Sequence, residues 1–281
     1  MNQFVPDVQF ELIAIKNLVS NQNYQRNLSM QHIQRMATNF DVYQINPVKV
    51  SRRDGQNLVM NGQHTIETVT LVSGTRDTPV WCMIYNGLQY QTEADIFASQ
   101  QKYVKGLSPY EIFMAYIEAD SDEHIIIRSI VESYGLTLAP RRESGAVCAI
   151  ATMEHIFRRH GFHVLDRTLR LCVIAWEGDP ASLSANMING VSRLVVAFGD
   201  TLKDESFREK VGGLTPRDIS RTARERRSGS LGYAEAMLTE YNKRRKDGLH
   251  MSRLYYTGRP REAIEQEEPT DDFQEEQQDE Q

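Results

Sequence analysis

The chain has 281 residues, 40% of them hydrophobic and 25% charged, with a formal net charge of −6. These values describe a globular chain of one large or two modest domains. They exclude a membrane-spanning helix, since no apolar run approaches the roughly 18–20 residues a span needs, and they exclude a disulfide or zinc scaffold, since Cys82, Cys148 and Cys172 stand far apart without paired spacing. The N-terminal stretch is acidic without a basic leader segment, so the expectation is a protein of the reducing cytoplasm.

The predicted elements alternate between strand and helix over the first part of the chain. A β-rich, partly alternating segment predicts a strand over about Val8–Ile15. Ser29 then offers an N-cap, and Ile33, Met36 and Phe40 give a helical stripe. Pro47–Ser51 and Asn57–Met60 flank Asp54-Gly55, the pattern of a two-residue hairpin. A helix follows from about Gln63 to Val72, closed by Gly74, and "TPVWCMIYNG" reads as a last strand. From Thr92 onward the pattern shows no further strand. Helices are expected over 92–104, 108–119, 122–134, 142–160, 165–176, 181–198, 203–211, 216–227 and 231–246. Ser108-Pro109 and Thr215-Pro216 mark two of the starts, each an N-cap followed by proline. Trp176 reads as a buried helix end. The expected organisation is α+β: an α/β domain over 1–90, a helical domain over 91–259 and an acidic tail over 260–281.

That tail changes the meaning of the net charge. Residues 260–281 contain ten Asp/Glu and one Arg, which leaves 31 basic against 28 acidic residues, a net of +3, in the rest. The tail is rich in Gln and poor in apolar residues, the composition of a disordered segment. It reads either as a solubilising end or as a mimic that competes with nucleic acid for a basic face.

One junction carries most of the chemical interest. In "LVMNGQHTIETV" a strand passes into a helix through Asn61 and Gly62, with Gln63, His64 and Thr65 in the first turn. A helix start exposes unbonded N–H groups and about half a positive charge, and glycine permits close approach of a ligand. These residues could hold a phosphate; the alternative is an ordinary strand–helix turn.

This order of elements, together with "NGQHT", resembles the N-terminal domain of the ParB/sulfiredoxin superfamily, whose second hairpin strand ends in a Gly-x-x-Arg-type phosphate motif. Leu107, Pro109 and Glu111 are similar to that family's Leu-x-Pro-x-Glu pattern, and Arg26 stands where the family carries an arginine facing the phosphates. The resemblance implies binding of a nucleoside triphosphate, CTP or ATP, with Mg2+, and a place in a plasmid, phage or integrated element. It implies DNA and a second copy of the chain as partners. It also has departures. Thr65 replaces the closing arginine, Gln63 stands where sulfiredoxin has its reactive cysteine, and Gln100 and Gln101 fall on the family's Glu-Asn pair, so any contact they make with metal or nucleotide is by amide. Loss of the thiol excludes sulfinic-acid repair. No catalytic residue is assigned; Glu67 reads as a surface acid complementing the helix dipole.

Basic residues point to a second surface. Arg217, Arg221 and Arg224 recur at helical spacing, with Arg226 and Arg227 beyond them, and "YNKRRKDG" adds four more cations. They read as a DNA-contacting face or as a solvated face paired with Asp218 and Glu225. No recognition helix is assigned. His155, His160 and His163 cluster, but their spacing and Arg158 and Arg159 argue against a metal. The function this supports is a ParB-like nucleotide-binding, DNA-associated protein in partition, transcriptional control or maintenance. The alternatives are a nuclease or nucleotide hydrolase of the same fold, and an interaction protein with a ligand-free site.

Overall fold

A computed structural model describes residues 7–20, 28–102 and 106–255, without the side chains of Gln100 and Gln101. Arg26 and the acidic tail therefore lie outside the described residues. The chain is α+β and divides into two compact units, 1–106 and 107–281.

The first unit is built on a five-stranded mixed sheet in the order β1-β5-β3-β4-β2. Its strands are β1 (Val8–Ala14), β2 (Leu18–Ser20), β3 (Val48–Arg53), β4 (Gln56–Asn61) and β5 (Pro79–Asn86). The β3–β4 hairpin turns through Asp54 and Gly55, both at positive φ (53° and 72°), as a two-residue loop between twisted strands demands. The three residues of β2 run parallel to β4, a pairing too short to leave a periodic trace in the sequence. Helices α1 (Met30–Thr38) and α2 (Gln63–Ser73) pack together, and Ile66 and Val69 of α2 join the cluster that holds Ile13, Val48, Val50, Val59 and Ile84. Helix α3 (Tyr90–Lys102) falls within this unit, whereas the expected boundary lay at 90/91. Its Glu93, fully buried, accepts a 2.8 Å hydrogen bond from the Ser51 hydroxyl of β3, and this tie belongs to the sheet side of the division.

The second unit is helical: α4 (Pro109–Glu118), α5 (Asp122–Ser133), α6 (Ile150–Trp176), α7 (Ala185–Phe198), α8 (Asp204–Lys210), α9 (Pro216–Arg226) and α10 (Ser230–Asn242). Leu107, Pro109 and Glu111, read above as a family pattern, form the start of α4. Ser108 accepts from the Glu111 N–H at 3.3 Å and its own N–H donates to the Glu111 carboxylate at 2.7 Å, a reciprocal capping box.

Two expectations need correction. Residues 142–149 are not helical; Gly145 turns at φ 70° and Ala146–Val147 pair as β7 with β6 (Thr137–Leu138), so short strands do follow Thr92. The helices expected at 142–160 and 165–176 are the two arms of α6, which meet at the non-helical Gly161 (φ 79°, ψ −177°). Trp176 is buried near its end, where the indole N–H donates to the Leu214 carbonyl at 2.9 Å. The core of this unit runs from Phe113 through Leu169, Cys172, Ile188 and Val191 to Met237 and Tyr241.

Candidate functional site

The junction before α2 is shaped by the sheet. A bulge between Lys49 and Val50 shifts the β3–β4 register, and β4 ends at Asn61 opposite Lys49. Gly62 follows at φ 109°. A Cβ there would stand 3.2 Å from Val48 Cγ2 and 3.3 Å from its Cα, so both the conformation and the close packing on β3 require glycine. Gly62 cannot cap with a side chain, and the first intrahelical bond of α2 runs from the Ile66 N–H to the Gly62 carbonyl at 3.0 Å. The N–H groups of the first turn precede that bond.

Gln63 opens the helix and is 6% exposed. Its Nε2 is buried and donates to no acceptor. A desolvated amide without a partner costs about 1–3 kcal/mol, so this donor is suited to an acceptor from outside the protein. His64 receives the Ser29 N–H on Nε2 at 3.3 Å, which puts the proton of the neutral ring on Nδ1. Ser29 is also the N-cap of α1; its Oγ accepts from the His32 N–H at 3.3 Å. The His32 and His64 rings meet edge to face at 5.2 Å, and Arg35 Nη2 donates to His32 Nδ1 at 3.4 Å. The starts of two helices, two imidazoles and a guanidinium thus converge, all of them features that favour an anion. Thr65 and Arg35 continue from this cluster into a cavity of about 260 Å3 lined also by Met36, Phe40, Thr68 and Val69.

Of the residues singled out in the sequence, Asn61, Gly62, Gln63, His64 and Thr65 lie together at this junction. Gln100 and Gln101 belong to α3, and their side chains are outside the description. Ser29, His32 and Arg35 were missed. The available signal was the capping serine; nothing local in the sequence shows that α1 starts against α2. Glu67 is held by Arg76, whose Nη1 donates to both of its oxygens at 3.1 Å. The described residues of the junction therefore offer no free carboxylate and do not fit a protein-held Mg2+.

Cys82 and Cys172 are poor nucleophiles. Burial pushes Cys82 up to about 11 and Cys172 up to about 12. Among the described residues, Glu123, His124 and Glu154 have metal-ligand spacing. Arg158 already supplies a cation there, at 2.7 Å from Glu123 and 3.2 Å from Glu154. Burial, with Arg159 and His155 nearby, lowers His160 below the ordinary histidine value, which disfavours a charged histidine cluster.

The basic surface forms around α9. Thr215 caps it by accepting the Asp218 N–H at 3.2 Å and donates its hydroxyl to the Asp218 carboxylate at 2.7 Å. Pro216, Ile219 and Ala223 are buried, while Arg217, Arg221, Arg224, Arg226 and Arg227 are exposed. Arg221 is paired with Asp218 at 2.8 Å, as one reading expected. Arg217, Arg221 and Arg224 border a groove of about 1000 Å3 together with Arg142, which the sequence reading missed because it placed 142 in a helix. The turn before α9 passes through Gly212, where a Cβ would fall on the Arg208 and Ala175 carbonyls. The order is short helix, glycine turn, second helix, with Phe207, Val211 and Ile219 buried.

A family model described as "Family of unknown function (DUF6551)" matches residues 19–253, and the chain belongs to that family. No curated protein matches. Among solved structures, the chain is similar to the C-terminally truncated chromosome-partitioning protein ParB from Caulobacter crescentus complexed with CTP-gamma-S. That match has 13% identity and a TM-score of 0.36, covering 82% of this chain and 98% of that one. The same protein complexed to the centromeric parS site matches at 14% identity and a TM-score of 0.28, over 76% of this chain and 99% of that one. A Pnob8-like ParB-N domain matches at 13% identity and a TM-score of 0.27, over 84% and 94%. Superpositions this loose carry nothing from those proteins to this chain. Among the described residues, no helix is long and apolar enough to cross a membrane.

Proposed function

We propose that this chain is a nucleotide-binding, DNA-associated protein, with a phosphate site where α1 and α2 begin and a nucleic-acid face on α9. The observation that carries the first half is the buried, unpartnered Nε2 of Gln63 in the opening turn of α2. It stands beside a helix start that has no side-chain cap and a histidine already tied to a second helix start. A phosphate oxygen arriving there would satisfy the Gln63 amide and could take over the Ser29 N–H. His64 Nε2 would then be released to accept a proton and donate to the anion. The ligand class, a nucleoside triphosphate such as CTP or ATP, follows the motif resemblance, as do the setting in a plasmid, phage or integrated element and pairing with a second copy. The test is a thermal-shift series with the four nucleoside triphosphates and inorganic phosphate. A ligand at 100 times its Kd adds about 2.7 kcal/mol to the native state. No shift with any of them sinks the proposal.

The second half rests on exposed arginines at helical spacing along a groove, the pattern that positions a protein on phosphates. A salt-dependent duplex-binding assay tests it, because phosphate contacts make affinity fall with the logarithm of salt concentration. A second reading, an interaction protein with a ligand-free junction, has its own support. Gly62 is fully accounted for by its φ and by Val48, so the glycine alone does not signal a ligand. No hydrolytic or nuclease role is assigned, since no described carboxylate is available at the junction.

A further inference from the structure

We infer that the acidic segment 260–281 docks on the arginine-lined groove of α9 and competes there with nucleic acid; this rests on the reading of α9 as the nucleic-acid face. The described chain ends at Tyr255, and that end is pinned beside α9. Leu254 is buried in the core, and the Tyr255 hydroxyl donates to Glu235 Oε1 at 2.8 Å. Arg227, the residue that closes α9, lies 5.7 Å over the Tyr255 ring. The segment thus leaves from the C-terminal end of the arginine helix.

Its reach and charge fit the groove. Helix α9 has 11 residues and is about 16 Å long. The stretch from Tyr255 to Glu262, the first acid of the segment, spans up to about 25 Å when extended. The ten carboxylates of 260–281 can therefore lie along Arg224, Arg221 and Arg217 as far as Arg142. Arg142, Arg217 and Arg224 have no carboxylate partner among the described residues, whereas Arg221 has Asp218. A tethered segment acts at an effective concentration in the millimolar range, enough for weak surface ion pairs to compete.

The experiment compares the full chain with a full-length variant in which the ten acids of 260–281 are changed to Gln or Asn. The neutral variant should bind a short DNA duplex about tenfold tighter at low salt, with the gap closing at high salt as the charges are screened. A labelled peptide of residues 260–281 should bind the neutral variant, be displaced by duplex, and fail to bind when R217A, R221A and R224A are added. If the arginine changes abolish duplex binding but neutralising the segment changes nothing and the peptide does not bind, the docking is overturned and the DNA reading stands. If the arginine changes leave duplex binding intact, the DNA reading falls; peptide binding that those changes remove would still sustain the docking. Conversion of a dimer to a monomer on neutralisation would overturn docking within one chain in favour of a second copy.

Discussion

The starts of α2 and α9 are both strand- or turn-to-helix junctions with a basic neighbourhood, yet they treat their own N–H groups in opposite ways. At α9, Thr215 and Asp218 supply acceptors from within the chain, and burial of Pro216 fixes the first turn. At α2, Gly62 supplies no side chain and Gln63 adds a further unsatisfied donor. A helix start that caps itself has fewer free N–H groups to offer an anion. The basic character of α9 therefore sits on its exposed flank, suited to a long polyanion. That of α2 sits at its end, suited to a single phosphate group.

The sharpest way to break this comparison is at Gly62. Gly62→Val should destabilise the protein by about 3 kcal/mol, from the left-handed backbone and the contact with Val48. Gly74→Ala, at φ 72° but in open space, should cost about 1 kcal/mol. Equal losses in urea denaturation would remove Val48 from the account. Loss of ligand binding in Gly62→Val is then inseparable from loss of fold, so the ligand must be tested at other positions.

Next in size, the triple change R217A, R221A and R224A should lower duplex affinity about 30-fold and reduce the salt slope by about 3, with stability changing by less than about 0.5 kcal/mol. An unchanged salt slope would reduce the flank of α9 to a solvated surface. Gln63→Leu should do the reverse of an ordinary core change. It should stabilise the ligand-free protein by about 1 kcal/mol by removing the orphaned amide, while weakening phosphate binding measured by calorimetry. A destabilised Q63L variant would show that the amide already has a structural task.

Thr215→Ala should cost about 1 kcal/mol through the lost cap. The hydrogen bond from Thr215, with Arg221 nearby, holds Asp218 below the ordinary Asp value. The stabilisation from that depressed carboxyl is present above the unfolded Asp value and is lost as pH falls through the folded one. The difference between Thr215→Ala and the parent chain should therefore shrink in acid, and a constant gap from neutral pH to pH 2 would exclude this linkage. Smallest of all, His64→Ala should weaken phosphate binding by about threefold more at pH 6 than at pH 8, because only the imidazolium adds a full charge. Thr65→Arg should strengthen binding modestly by restoring a guanidinium at the end of the motif. Identical pH profiles for His64→Ala and the parent would leave the imidazole as a mere acceptor for Ser29.

Much was legible in the sequence because it is local. Periodicity and turn residues place β1, the β3–β4 hairpin, α2 with its Gly74 cap, and the starts of α4 and α9. Each depends on residues within a few positions of one another. The charge asymmetry between the tail and the rest is likewise a property of composition. Other features were decided only when distant segments met. Gly145 and the β6–β7 pairing override the helical pattern of 142–149, since a two-residue strand exists only through its partner. Ser29 and His64 are 35 positions apart and meet because α1 and α2 pack against each other. The Gly62 requirement comes from Val48 across a bulged register, and the orphaned Gln63 amide from burial that its neighbours in sequence do not foretell. Sequence fixes conformational preference through short-range sterics and hydrogen bonding. Which donors are left without partners depends on long-range packing, and that is settled by the tertiary structure.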